Sequence, residues 1–138
     1  MKIKTDFVTN SSSTCFVVMS KGDFTLEKFM VSLGLTEDSP FRDVFEELFV
    51  YIKNELIPLH EFISNDKWHK ANQSEEDYIT SIFSKRTFEK IQDAEKNGYD
   101  VYMGRLHSDD GEIISFFCTS SFVIESENLV IDATNDGW

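Results

Sequence analysis

The sequence predicts an α+β fold, with a mainly antiparallel sheet of about four to five strands packed against about three to four helices. An apolar run at residues 14–19 is typical of a buried strand, helical stripes fill the middle of the chain, and the hydrophobic period changes to two after Tyr99. The first strand must find hydrogen-bonding partners for its backbone. We therefore expect it to join the C-terminal strands in one sheet, at an interior position.

Two helices are predicted between the first strand and residue 56. The first carries apolar residues at i, i+3, i+4 and i+7, and Gly34 is well placed to end it; these residues are Leu26, Phe29, Met30 and Leu33. The second spans residues 40–55 and starts with Ser39-Pro40, a capping residue followed by proline. Its stripe consists of Phe41, Val44, Phe45, Leu48, Phe49 and Ile52. We expect this helix to cover one face of the sheet.

The next helical region is less regular. Residues 56–73 predict a short helical turn and a loop, and Ser74 then caps a new helix with acidic residues in its first turn. Polar residues at 84–87 interrupt the apolar stripe, so either one kinked helix or two short helices fit the pattern. Asn97-Gly98 ends this region.

The C-terminal part of the chain predicts a strand meander. Alternating residues at 99–104 form the first strand, and residues 108–111 contain the Asp-Gly step of a tight hairpin turn. Residues 112–118 are then expected to return as a strand, followed by strands at 122–125 and 129–132. Residues 1–13 are an extended polar lead-in, and we expect the 138 residues to form a single globular domain.

Composition limits the function classes. The net charge is −12 and the sequence pI about 4.5, so binding to nucleic acid or to an anionic membrane is disfavoured. The acidity either keeps the protein in solution or forms a face that meets a basic partner or imitates nucleic acid. Neither a secretory signal nor an apolar run of about 18 residues is found, so we expect a cytoplasmic protein.

The sequence gives no metal or cofactor motif. His60, His69 and His107 are far apart, and no histidine–cysteine spacing typical of zinc occurs, so we expect no metal and no cofactor. Cys15 and Cys118 lie in apolar runs and are expected to be buried thiols, with a disulfide between them left open. A nucleophilic Cys15 with His107 as its base is disfavoured, because reactive cysteines need an open, electropositive setting.

One candidate ligand site combines two polar turns. The hydroxyl and amide residues at 9–14 satisfy their own backbone in the simplest interpretation, but they could also cradle an anion or serve as a recognition tag read by another protein. A binding site would require this turn to meet the predicted hairpin tip at 107–111. Its residues would be Asn10, Ser12, His107 and Asp109, and no catalytic residue is assigned.

The start of the chain resembles a known N-terminal signature. Residues 2–13 read Lys-Ile-Lys-Thr-Asp-Phe-Val-Thr-Asn-Ser-Ser-Ser, and Phe16-Val17-Val18 follow. This string is similar to the KIRTDFVTNSSSSSF-like signature of a group of bacterial, largely clostridial, proteins without assigned activity. It departs at Lys4, where arginine is usual, and at Thr14-Cys15, which shorten the serine run. The resemblance implies a bacterial or phage-borne intracellular protein, and it implies no catalytic residues.

These observations favour a small, acidic, non-catalytic domain that works through protein contacts. Accessory or immunity-like roles fit this description, and the expected partner is another protein, possibly a basic one. The alternative is a ligand-binding or enzymatic domain whose site lies between the 9–14 turn and the 107–111 tip.

Overall fold

The computed structural model describes residues 2–3, 13–66, 69, 72–118 and 120–134. The strands are β1 Lys2–Ile3, β2 Ser13–Ser20, β3 Ile57–Pro58, β4 Asp100–His107, β5 Ser120–Ser121, β6 Val123–Glu125 and β7 Leu129–Asp132. The helices are α1 Leu26–Ser32, α2 Arg42–Glu55, α3 Leu59–Asn65, α4 Glu75–Ile82, α5 Lys85–Lys96 and α6 Glu112–Cys118, with a 3-10 turn at Ser108–Asp110. The chain has an α+β fold, and these residues contain six α-helices where the sequence predicted three to four.

Five strands form one antiparallel sheet in the order β3-β4-β2-β7-β6, and β1 pairs with β5 separately. The central strand β2 pairs with β4 along its whole length, from Ser13 opposite His107 to Ser20 opposite Asp100. On its other side β2 pairs with β7 from Val17 to Ser20. The interior position predicted for the strand at residues 14–19, which is β2, is therefore confirmed.

Helices cover both faces of this sheet, which explains why β2 is apolar without alternation. Cys15, Val17 and Met19 pack against α3, α4 and α5 on one face. Phe16 and Val18 point to the other face, where they pack with α1, α2 and α6 and are 0% exposed. Rings on this second face touch each other; the Phe24 and Phe49 centroids are 4.9 Å apart.

The helices of the middle region agree with the sequence pattern. Helix α2 covers one face of the sheet as expected, although it begins at Arg42 and not at Pro40. The polar break before residue 85 separates two helices, α4 and α5, and does not kink one. Ser74 and Ser84 cap them by accepting hydrogen bonds from the N–H groups of Asp77 and Thr87, at 3.0 and 3.2 Å.

The prediction of a hairpin after β4 was wrong. Ser108–Asp110 form a 3-10 turn, and Glu112–Cys118, expected to return as a strand, form helix α6. The Ser115 N–H donates to the Gly111 carbonyl at 2.8 Å, which starts this helix. On one side β4 is paired with β2 along its whole length, and on the other side the two-residue strand β3 pairs with Met103 and Tyr102. Helix α6 instead places Ile114, which is 2% exposed, in the core on the α2 face.

Gly104 allows the end of α2 to lie close to β4. A Cβ atom at this position would be 2.7 Å from Phe16 Cζ and 2.8 Å from the Glu55 carbonyl oxygen. Glycine inside a strand often marks such a close approach. The missing side chain therefore fixes how near α2 sits to the sheet.

Candidate functional site

The four residues of the predicted ligand site are only partly described. Asn10 and Ser12 lie outside the described residues. His107 ends β4 directly opposite Ser13, so the start of β2 and the end of β4 share one end of the sheet. Asp109 is exposed in the 3-10 turn, which replaces the expected hairpin tip. His107 and Asp109 share no hydrogen bond among the contacts between described residues.

A groove about 520 Å³ in volume lies next to this end of the sheet, between α2 and the segment that leads into α6. We call it the acidic groove. Its lining residues are Asp43, Glu46, Glu47, Val50, Tyr51, Asn54, Asp110 and Ile114. The α2 members stand at i, i+3, i+4, i+7, i+8 and i+11, and so form one side of that helix. Leu48 and Ile52 point the other way, into the core.

Tyr51 joins the two walls of the acidic groove. Its hydroxyl donates a hydrogen bond to the Asp110 carboxylate and accepts one from the His107 N–H at 3.3 Å. Burial and the Asp110 hydrogen bond raise the pKa of Tyr51 far above its usual value, so the phenol keeps its proton. The tyrosine therefore holds the 3-10 turn against α2 and fixes the Asp110 carboxylate at the groove wall.

The charges of the acidic groove all have one sign. Asp43, Glu46, Glu47 and Asp110 are its only charged lining residues among the part of the chain that the structure describes, and all four are exposed. Helix α2 carries two cations, of which Arg42 is not part of the lining and Lys53 donates from Nζ to the Phe24 carbonyl at 2.6 Å. Four neighbouring carboxylates create a negative potential that attracts cations to the groove.

Apolar surface accompanies these carboxylates. Val50 is 51% exposed in the acidic groove, on the side of α2 that the sequence pattern assigns to solvent. An aliphatic side chain between carboxylates matches a lysine or arginine, since the methylene stem can lie on the valine while the charged head meets the acids. The lining of the groove is thus chemically suited to a basic side chain.

Cys15 belongs to a partly buried polar cluster on the opposite face of the sheet. Its direct neighbour across the ladder is Arg105, and not His107. Arg105 Nη2 lies 2.8 Å from Asp66 Oδ2, and the Tyr78 hydroxyl donates to that same oxygen. Burial alone lowers the pKa of Arg105, but the neighbouring Cys15 and Asp66 outweigh it and raise that pKa. The cluster satisfies its own polar groups and links β2 and β4 to α3 and α4.

A second buried acid lies at the N-terminus of α5. Asp132 is 1% exposed and accepts hydrogen bonds from Thr87 Oγ1 at 3.0 Å and from the Thr134 N–H at 2.9 Å. Lys90 Nζ is 3.6 Å away. These partners explain the burial of the carboxylate, because a buried charge must be paired and hydrogen-bonded. Asp132 therefore connects β7 to α5.

Two further findings concern metal binding and membrane spanning. Among the described residues, no three histidine, cysteine, aspartate or glutamate side chains are arranged to hold a metal ion. None of the described helices is both long enough and apolar enough to cross a bilayer.

Sequence reasoning missed the acidic groove. Glu46 and Glu47 read as a solvated helix face, and Asp110 as part of a hairpin turn. The available signal was Val50, an apolar residue among the polar positions of the longest helix. Asp110 could not be placed beside α2 from sequence, because residues 51 and 110 meet only through the fold.

Comparison with known proteins gives no relative. Family models, curated proteins and solved structures were each searched with this chain, and none of the three searches found a match.

Proposed function

We propose that this protein is a non-catalytic interaction module that binds a basic segment of another protein in the acidic groove. The observation that carries the proposal is the lining of that groove, where four carboxylates lie together with Val50. No lysine or arginine occurs among the described residues that line it. Electrostatic complementarity of this kind favours encounter with basic surfaces. The net charge of −12 acts in the same direction. An accessory or immunity-like role is consistent with such binding.

The test uses a fluorescent oligolysine peptide of about ten residues and two charge-reversal variants. E46K/E47K reverses two carboxylates of the acidic groove. E89K/D93K makes the same charge change at two exposed positions of α5, on the opposite face of the sheet. We expect E46K/E47K to weaken binding about tenfold or more, and the α5 variant to weaken it only two- to threefold through net charge. Equal weakening by both variants would reject the groove as the binding site.

The alternative function, a ligand site at the 9–14 turn and residues 107–111, has one supporting observation. Ser13 and His107 are paired, so the two segments reach the same end of the sheet. Amide NMR shifts separate the two proposals in two titrations, one with the peptide and one with small anions. Peptide in the groove shifts amides of α2 near Val50 and the His107 amide, which donates to Tyr51, but not Ser13, whereas anions at the alternative site shift Ser13 and His107 without those of α2 near Val50. Unshifted Ser13 and His107 signals in the presence of anions would count against the alternative.

A further inference from the structure

A cavity of about 160 Å³ lies between α3, α4 and α5, on the face of the sheet opposite α2. We call it the three-helix cavity. Its inner lining is apolar and consists of Leu59, Ile63, Ile79, Phe88 and Ile91. Phe88 is partly buried, and the other four are at most 3% exposed. Side chains of three helices therefore surround apolar space that the protein itself does not fill.

The volume of the three-helix cavity limits the size of a ligand. Drug-sized molecules occupy pockets of roughly 300–1,000 Å³, which is more than this cavity offers. A protein cavity of about 150 Å³ lined by leucine, isoleucine and phenylalanine stays dry and binds benzene. The three-helix cavity has the same lining and nearly the same volume, so a body of the size of one benzene ring fits it.

The outer lining of the cavity is polar and carries acids. Its charged members among the described residues are Glu75 and Glu76 on α4, Glu95 on α5, and His60 on α3 when it is protonated. His60 Nδ1 lies 2.7 Å from Glu75 Oε1, and its Nε2 lies 2.8 Å from Glu95 Oε2. The imidazole thus spans the space between two carboxylates at the mouth of the cavity. Because its side chain is 59% exposed, it can turn away without disturbing the core.

We propose that the three-helix cavity binds a small amine, whose benzene-sized apolar body fills the inner lining and whose ammonium group replaces His60 between Glu75 and Glu95. An ammonium group has three donors and no acceptor, and so suits two neighbouring carboxylates. A neutral head would leave the acids without a cation, and an anionic head would be repelled by them. This site is separate from the acidic groove and does not depend on the proposed function.

Replacement of His60 makes binding depend on pH. The hydrogen bonds to Glu75 and Glu95 raise the pKa of His60 above its usual 6.5. Below this pKa the imidazolium holds both carboxylates, and Glu76 is the remaining acid of the mouth. Above it the imidazole is neutral and competes less, while an alkyl amine keeps its proton up to about pH 10. The amine therefore binds more tightly as pH rises through the pKa of His60.

The experiment uses three probes that share one body and differ in the head, namely 2-phenylethylamine, 2-phenylethanol and phenylacetate. Each is titrated into the whole protein, and the methyl NMR signals of Ile63, Ile79 and Ile91 report a ring in the cavity. At pH 8.5 we expect the amine to bind about tenfold more tightly than the alcohol, and phenylacetate to bind most weakly. Equal binding of the three probes, or unshifted isoleucine methyl signals at millimolar amine, would overturn the inference.

Two matched variants test the carboxylates. E75Q/E95Q removes the two acids that meet the head, and we expect it to lose the preference for the amine over the alcohol. E89Q/D93Q makes the same charge change at two exposed positions of α5 outside the lining, and should keep that preference. An equal loss in both variants would show that net charge alone attracts the amine, and would overturn the site.

A third variant tests the role of His60. In H60Q the competing cation is absent, so the amine should bind equally well at pH 6 and pH 8.5, whereas the natural protein binds it more weakly at pH 6. An unchanged pH dependence in H60Q would contradict the replacement. Amine-induced shifts at Val50, with none at the three isoleucines, would place the amine in the acidic groove. That outcome would overturn this inference and leave the proposed function intact.

Discussion

At the scale of single residues, individual side chains decide how the strands and helices fit together. Gly104 has no Cβ, and this absence lets Phe16 and the Glu55 carbonyl approach β4. Tyr51 uses one hydroxyl to join the β4 end to the groove wall. Asp132 is buried but satisfied by Thr87 and Thr134. None of these roles has a sequence motif, because each depends on a neighbour that is distant along the chain.

We predict that Gly104→Ala destabilises the protein by about 1–3 kcal/mol, because one of the two groups in its way is backbone and cannot rotate aside. Gly34→Ala is the control. A Cβ added at Gly34 would meet open space, and the residue has a φ of +72°. The loss of stability in this variant is therefore limited to backbone strain of about 1 kcal/mol. Urea unfolding of both variants measures the difference. A G104A protein as stable as the natural one would contradict the close approach of α2.

At the scale of elements, one histidine connects three helices. His60 on α3 places Nδ1 2.7 Å from Glu75 Oε1 on α4 and Nε2 2.8 Å from Glu95 Oε2 on α5. The hydrogen bonds to Glu75 and Glu95 raise the pKa of His60 above its usual 6.5, against a smaller lowering by burial. Since the side chain is 59% exposed, water screens these pairs and their contribution is modest.

The raised pKa of His60 predicts a pH-dependent contribution to stability. The folded state holds the proton more tightly than the unfolded state, so the contribution is fully present below about pH 6.5 and is lost as pH rises through the folded pKa. We expect His60→Gln to cost up to about 1 kcal/mol at pH 6 and less at pH 8.5. Urea unfolding at both pH values measures this. A cost that does not change with pH, or that also persists in an E75Q/E95Q background, would contradict the ion pairs.

At the scale of the whole molecule, the excess of acidic residues and their position on the outside of the helices determine the electrostatic properties. The chain carries 25 acidic and 13 basic residues, and four of the acids line one groove. The sheet is covered by helices on both faces, so the charged positions of those helices are turned outward. An excess of one sign of charge makes the folded molecule repel itself, and salt screens this repulsion.

We therefore predict that moderate salt stabilises the folded state. Raising sodium chloride from 10 to 150 mM shortens the screening length from about 30 to about 8 Å. We expect Tm to rise by roughly 3–5 °C, equivalent to about 1 kcal/mol. E46K/E47K changes the net charge from −12 to −8 and should show a smaller rise. Thermal unfolding followed by circular dichroism measures both, and a Tm that falls with salt would show that ion pairs outweigh repulsion.

The sequence by itself determined the fold class, the buried central strand and most helices, because hydrophobic period and capping residues act locally. Phe16-Val17-Val18 and Ser74 are examples whose placement the structure confirms. The tertiary structure alone decided the conformation of residues 112–118, where a short apolar run fits a strand or a helix and the helix buries Ile114 on the α2 face of the sheet. It also decided the acidic groove, since Tyr51 and Asp110 are 59 residues apart and their contact is a property of packing, which no local pattern encodes.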